Sequence, residues 1–140
     1  MTSRTSLICS PAEPEPVLIQ QEGPGWRLVQ DLSRSPFCVL VGGQDWAFEL
    51  TLEEWDALSD VVLTLVDQHR ALVDQLMDEE SIELELDRSP WWGCLDGTRE
   101  AWSLSVVLTA SASRSIEATW RSPAAQAMAA AMQTLRERCH

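Results

Sequence analysis

The sequence predicts an α+β fold of two ββββα units, antiparallel sheets with two helices. Three observations carry that expectation. Eight short runs alternate apolar and polar residues or are rich in β-branched ones, and most are set off by glycine or proline turn signals. Two longer stretches have helical spacing instead, one after the fourth run and one after the eighth. The chain has 140 residues, the usual size of one domain with one core.

Residues 11–16 read Pro-Ala-Glu-Pro-Glu-Pro. Proline removes backbone donors there and like charges repel, so residues 1–16 are expected to be a mobile N-terminal tail and residues 17–140 a single domain. Val17 to Gln21 is a short apolar run, and Glu22-Gly23-Pro24-Gly25 turns the chain into Trp26-Arg27-Leu28-Val29-Gln30. Ser33 to Pro36 is a loop, Phe37 to Val41 a third strand, and Gly42 to Asp45 a further turn. Trp46, Phe48 and Leu50 then face one way and Ala47 and Glu49 the other, the alternation of a half-buried fourth strand.

Thr51 and Glu54 have capping-box spacing, in which each side chain satisfies a backbone donor of the first helical turn. Apolar residues follow at helical spacing from Leu52 to Met77. An unbroken helix of that length, about 42 Å, exceeds the roughly 35 Å breadth of such a domain. The helix is therefore expected to bend, to break near Gln68-His69-Arg70, or to project towards a partner. His69 is expected on its solvated side.

Ile82, Leu84 and Leu86 alternate with Glu83, Glu85 and Asp87, giving a strand with one buried and one wet face. Trp91 to Leu95 is the next strand, Asp96-Gly97 a hairpin turn, and Trp102 to Leu108 a third alternating run. Thr109 to Ser115 is a polar loop before Ile116, Ala118 and Trp120. Ser122 and Pro123 are placed to cap and open a second helix, which ends on Arg136 and Arg138.

Charge narrows the partners. Twenty-two acidic residues stand against ten basic ones, all arginine, for a net charge of -12. The surplus is local: three arginines meet four acids up to residue 44, one meets fourteen from 45 to 87, and six meet four thereafter. Such a middle segment repels polyanions and favours basic partners. Cys9, Cys38, Cys94 and Cys139 have no paired or metal-like spacing, and no export signal or membrane span is legible, so a cytoplasmic chain with reduced thiols is expected.

Gly25-Trp26-Arg27-Leu28, and Val41-Gly42 followed by Trp46-Ala47-Phe48-Glu49-Leu50-Thr51 with Glu54, resemble a family of small uncharacterised cyanobacterial proteins. That resemblance spans residues 17–138 or so and implies a fold similar to the Whirly-type domain of single-stranded-DNA-binding transcriptional regulators. Whirly proteins bind DNA through a lysine-containing strand motif, whereas this chain contains no lysine. The resemblance thus implies a fold and passes on no site residue.

Trp26, Trp46, Trp55, Trp102 and Trp120 sit at apolar positions and read as core. Trp91 and Trp92 are adjacent in a strand, so one of them points away from the core and is available to a partner. Arg88, Arg99, Arg114 and Arg121 fall near strand ends and could converge on an anion. Trp91, Trp92, Arg88, Arg99 and Arg114 are accordingly the candidate partner-binding residues. Glu83, Glu85 and Asp87 read as a wet sheet face. No residue set has the spacing of a catalytic triad, a phosphate loop or a calcium hand, so no catalytic residue, cofactor or metal is expected. The functional expectation is a non-enzymatic protein that binds another protein or itself, with single-stranded nucleic acid as the alternative.

Overall fold

The computed structural model describes residues 18–109 and 114–138, so the proposed tail and part of the loop before Ile116 lie outside the described residues. Strands β1 (Leu18–Gly23), β2 (Trp26–Asp31), β3 (Phe37–Gly42) and β4 (Ala47–Thr51) form one antiparallel sheet in chain order, followed by helix α1 (Leu52–Leu72). Strands β5 (Ile82–Arg88), β6 (Trp91–Gly97), β7 (Trp102–Leu108) and β8 (Ile116–Trp120) form a second such sheet, followed by α2 (Ala124–Arg138). The architecture is ββββα twice, an α+β fold, as the alternation patterns predict.

Each helix crosses to the other unit's sheet. α1 packs chiefly on β5 and β6, and α2 on β1 and β2, with the two helices also touching each other. A four-stranded antiparallel sheet has one apolar face that must be covered. Here the cover for each sheet comes from the other half, so neither half buries its core alone. The core joins Leu28, Val39, Val41 and Leu50 of the first sheet to Trp91, Leu95, Leu104 and Val106 of the second through Leu58, Val62, Met128 and Met132 of the helices. Each such side chain, when fully buried, contributes roughly 1.5–3 kcal/mol.

Two glycines are required by geometry. Gly25 closes the β1–β2 hairpin at φ +82°, a left-handed value that glycine tolerates. Gly93, in the middle of β6, faces α1 so closely that a Cβ there would stand 2.7 Å from Val61 Cγ1 and 3.1 Å from Leu65 Cδ1. The missing side chain is what lets the helix lie on the strand.

The capping box forms as read: Glu54 N–H donates to Thr51 Oγ1 at 3.2 Å, and Thr51 N–H donates to Glu54 Oε1 at 2.9 Å. Of the three outcomes expected for the over-long helix, the chain takes the break: α1 stops at Leu72, just past Gln68-His69-Arg70, and tightens into a 3₁₀ turn over Val73–Gln75, so it does not reach Met77 as helix. Arg99 donates through Nε (3.2 Å) and Nη2 (2.8 Å) to Val73 O, satisfying a carbonyl that the helix end leaves open. His69 is buried, not solvated, because the β6–β7 turn folds over it: its Nε2 bonds Thr98 O at 3.1 Å, and its ring lies 5.8 Å from that of Trp102. That turn is Thr98 to Ala101, closed by Thr98 N–H to Ala101 O at 2.9 Å, while Asp96 and Gly97 remain paired in β6. At the start of α2, Ser122 Oγ accepts from the Gln126 side chain at 2.9 Å. No helix of the described residues is long and apolar enough to cross a membrane.

Candidate functional site

Cross-strand register decides which tryptophan of the adjacent pair faces outward. Trp91 stands opposite Leu108 on the inner face, is 0% exposed, and donates its indole N–H to Glu54 O at 3.0 Å. It is a core residue that ties β6 to the first turn of α1, and it cannot meet a partner. Trp92 stands on the outer face between Asp87 of β5 and Val107 of β7, with Glu117 of β8 one strand further, and is half-buried.

The remainder of that face sets its character. Glu85, Cys94, Ser105 and Thr119 form the next row, and Glu83, Asp96 and Ser103 the row after it. Five carboxylates, Glu83, Glu85, Asp87, Asp96 and Glu117, share the face with one half-buried indole; Arg121 stands at the far edge, lining a hollow with Asp96, Ser103 and Thr119, and the row of Trp92 itself holds no basic residue. Neighbouring strands are about 4.8 Å apart, so the carboxylates lie within mutual repulsion distance at ordinary salt. The Cys94 thiol reports their field: its pKa is raised by its own burial first and then by Glu83, Glu85 and Asp96. A thiol held protonated in this way is a poor nucleophile.

The arginines do not converge. Arg88 pairs with Asp60 of α1, which Arg136 also approaches at 3.7 Å. Arg99 is committed to Val73 O and lies 3.8 Å from Asp78. Arg114 donates to Glu49 O at 2.6 Å, pairs with Glu54, and lies over the Phe37 ring at 4.7 Å. Each holds an element end in place. Burial pushes the Glu54 carboxyl up, but the Thr51 backbone N–H, the Arg114 guanidinium and the Thr51 hydroxyl together outweigh it and hold the group below its usual range.

A second feature escaped the sequence reading. At one end of the first sheet, the β1–β2 and β3–β4 turns and the entry to α2 enclose a cleft of about 1010 Å³. Trp26, Trp46 and Trp120 line it with Arg27 and Arg121, and Glu22 and Asp45 balance the two arginines. Trp120 is core, as read, and donates to Gly42 O at 3.1 Å. Trp26 and Trp46 are only half-buried, because they close the open end of the sheet instead of sitting inside it. Each indole lies on a hairpin glycine: a Cβ on Gly23 would stand 2.5 Å from Trp26 Nε1, and one on Gly43 2.3 Å from the Trp46 ring. Trp46 also stacks on Phe48 at 5.6 Å and meets Trp120 edge-on at 5.1 Å. Glycine three residues before tryptophan, once in each hairpin, was the available signal. Among the described residues, no cluster of three or more His, Cys, Asp or Glu is placed to hold a metal.

No curated protein matches the chain. Among solved structures, it is similar to a crystal structure at 1.80 Å of a protein with unknown function, from the DUF155 family, of Prochlorococcus sp. NATL2A. The two are 40% identical, with 84% of this chain and 98% of that one covered and a TM-score of 0.80. Residues 21–135 match the model of a domain of unknown function, DUF1818, and the chain belongs to that family.

Proposed function

We propose that the protein is a non-enzymatic interaction module, cytoplasmic, that docks a basic protein segment on the outer face of β5–β8. The observation that carries this is Trp92, a half-buried indole on a face with five carboxylates and with no basic residue in its own row, Arg121 standing only at the far edge. An aromatic anchor inside a charged rim is the usual anatomy of a binding hot spot. The sign of the rim selects the partner: arginine or lysine side chains relieve the repulsion, and arginine can also stack on the indole. Cys38 and Cys94 are free thiols, which suits a reducing compartment. The protonated state of Cys94 and the structural commitments of Arg88, Arg99 and Arg114 support a role without catalysis. The Whirly-like fold that the resemblance implies is part of the proposal, supported by the two ββββα units with crossed helices.

The test is titration of the full chain with an arginine- and lysine-rich peptide, followed through the Trp92 indole N–H signal. Binding that weakens with salt, and that drops tenfold or more in Trp92→Ala and in the double variant Glu85→Gln, Asp87→Asn, is expected. Salt-sensitive attachment of a single-stranded oligonucleotide to this same face would overturn the reading, as would indifference of the Trp92 signal to the peptide.

A further inference from the structure

We propose that the basic partner of the acidic face, on whose docking the inference rests, binds along the open edge of β5 as a fifth strand, antiparallel, with arginine or lysine at alternate positions and apolar residues between them. β5 is an edge strand, paired on one side with β6 and on the other with no strand among the described residues. Arg88 and Trp91 close a two-residue hairpin, so they exchange backbone hydrogen bonds across it. The alternation of an antiparallel ladder fixes the rest. Ile82, Leu84 and Leu86 turn their N–H and C=O groups towards β6, and Glu83, Glu85 and Asp87 turn theirs to the free edge. Nothing among the described residues bonds to those outward groups. They form a template for one more strand.

The two faces of β5 decide what that strand must carry. The outward backbone groups belong to the same three residues whose carboxylates line the outer face, at intervals of about 6.8 Å. A residue set directly opposite one of them stands about 5.5 Å away, Cα to Cα, with its side chain on that face. An acid there is repelled, and arginine or lysine is matched. On the inner face, Leu84 and Leu86 pack against the core yet stay only partly buried, because the sheet ends beside them. Apolar residues at the intervening positions of the added strand extend their cover. Trp92 lies two strand spacings, about 9.6 Å, from the added strand, so an arginine opposite Asp87 leans over it towards the indole. The opposite edge matches this less well: β8 has one outward carboxylate, Glu117, and Arg121 follows it. A second copy does not supply the strand, since the edge strands β1, β4, β5 and β8 hold no basic residue except Arg88, which is paired with Asp60.

The experiment adds synthetic peptides to the nitrogen-labelled full chain and reads backbone amide hydrogen exchange together with the Trp92 indole signal. The first peptide alternates valine and arginine over the seven residues of β5, beginning and ending on valine. The second is the same peptide N-methylated at its arginines, whose N–H groups face β5, and the third is N-methylated at its valines, whose N–H groups face away. The first and third are expected to move Trp92 and to slow exchange of the Glu83, Glu85 and Asp87 amides about tenfold or more. The second should bind at least about tenfold more weakly, with its charges unchanged. Two results would overturn strand addition while leaving docking on the face intact: equal binding by the second and third peptides, or a Trp92 shift with the three edge amides exchanging as before. Trp92 and edge amides indifferent to all three peptides would overturn the docking itself, and strand addition with it.

Discussion

Replacing Gly93 by alanine tests the contact that joins the two halves. The new methyl would stand 2.7 Å from Val61 Cγ1, about 1 Å inside an ordinary carbon contact. Val61 cannot swing aside, because it is fully buried and a valine in a helix has essentially one χ1 rotamer. Leu65 blocks the other direction at 3.1 Å and is likewise fully buried. Helix and strand must therefore part, and overpacking of this kind costs about 1–3 kcal/mol. Removing a strand glycine returns roughly 0.5–1 kcal/mol of backbone entropy, so the net loss should be about 1–2 kcal/mol. Val61→Ala alone should cost about 2 kcal/mol, since it removes two buried methyl equivalents and leaves a void. In the double variant the added methyl enters the space that the lost one vacates. The two losses should then fall short of additivity by at least about 1 kcal/mol. Urea unfolding of the four chains, followed by tryptophan fluorescence, gives the cycle directly. Additivity within about 0.5 kcal/mol, or a Gly93→Ala chain more stable than its parent, would refute the claim that this glycine sets the helix–sheet distance.

The tryptophan pair should separate cleanly in thermal melts: Trp91→Ala is expected to cost about 3–5 kcal/mol, and Trp92→Ala about 1 kcal/mol or less while abolishing capture of a basic peptide. Trp91→Phe should lose about 1–3 kcal/mol, because the Glu54 carbonyl is left without its indole donor. Glu54 has a lowered folded pKa, so its contribution is complete above the unfolded value near 4.5 and is lost as pH falls through the folded one. Arg114→Gln should accordingly destabilise the chain at neutral pH, with a gap from the parent that narrows in urea melts below pH 4.5.

The strands, and the box that starts α1, were legible because their signals are local. Alternation at Ile82 to Asp87 needs only seven residues to show a wet and a dry side, and Thr51 needs only Glu54. The end of α1 was not legible because it is settled from afar. Apolar spacing continues to Met77, yet the β6–β7 turn holds His69 through Thr98 and Val73 through Arg99, some 26–29 residues further on. A histidine on an exposed-looking helix position is buried only because that turn closes over it. The cleft had the same difficulty in greater degree. Trp26, Trp46 and Trp120 are each apolar at their own position, and the one local hint that two of these rings close the end of the sheet, a glycine three residues earlier in the hairpin, does not bring the three together.

The outward tryptophan, by contrast, could have been read. Residues of one strand with the same parity share a face, so Trp92 goes with Cys94 and Asp96, and Trp91 with Gly93 and Leu95. Asp96 is a charge that cannot enter an unpartnered core, which fixes its face as the wet one and carries Trp92 with it. The same parity, continued through Glu83, Glu85 and Asp87 on the neighbouring strand, makes the surroundings acidic. Charge and aromatic exposure thus follow from a single alternation. That is why the partner argued for is defined by its charge before anything else: any ligand that covers this indole must also cross the ring of carboxylates around it.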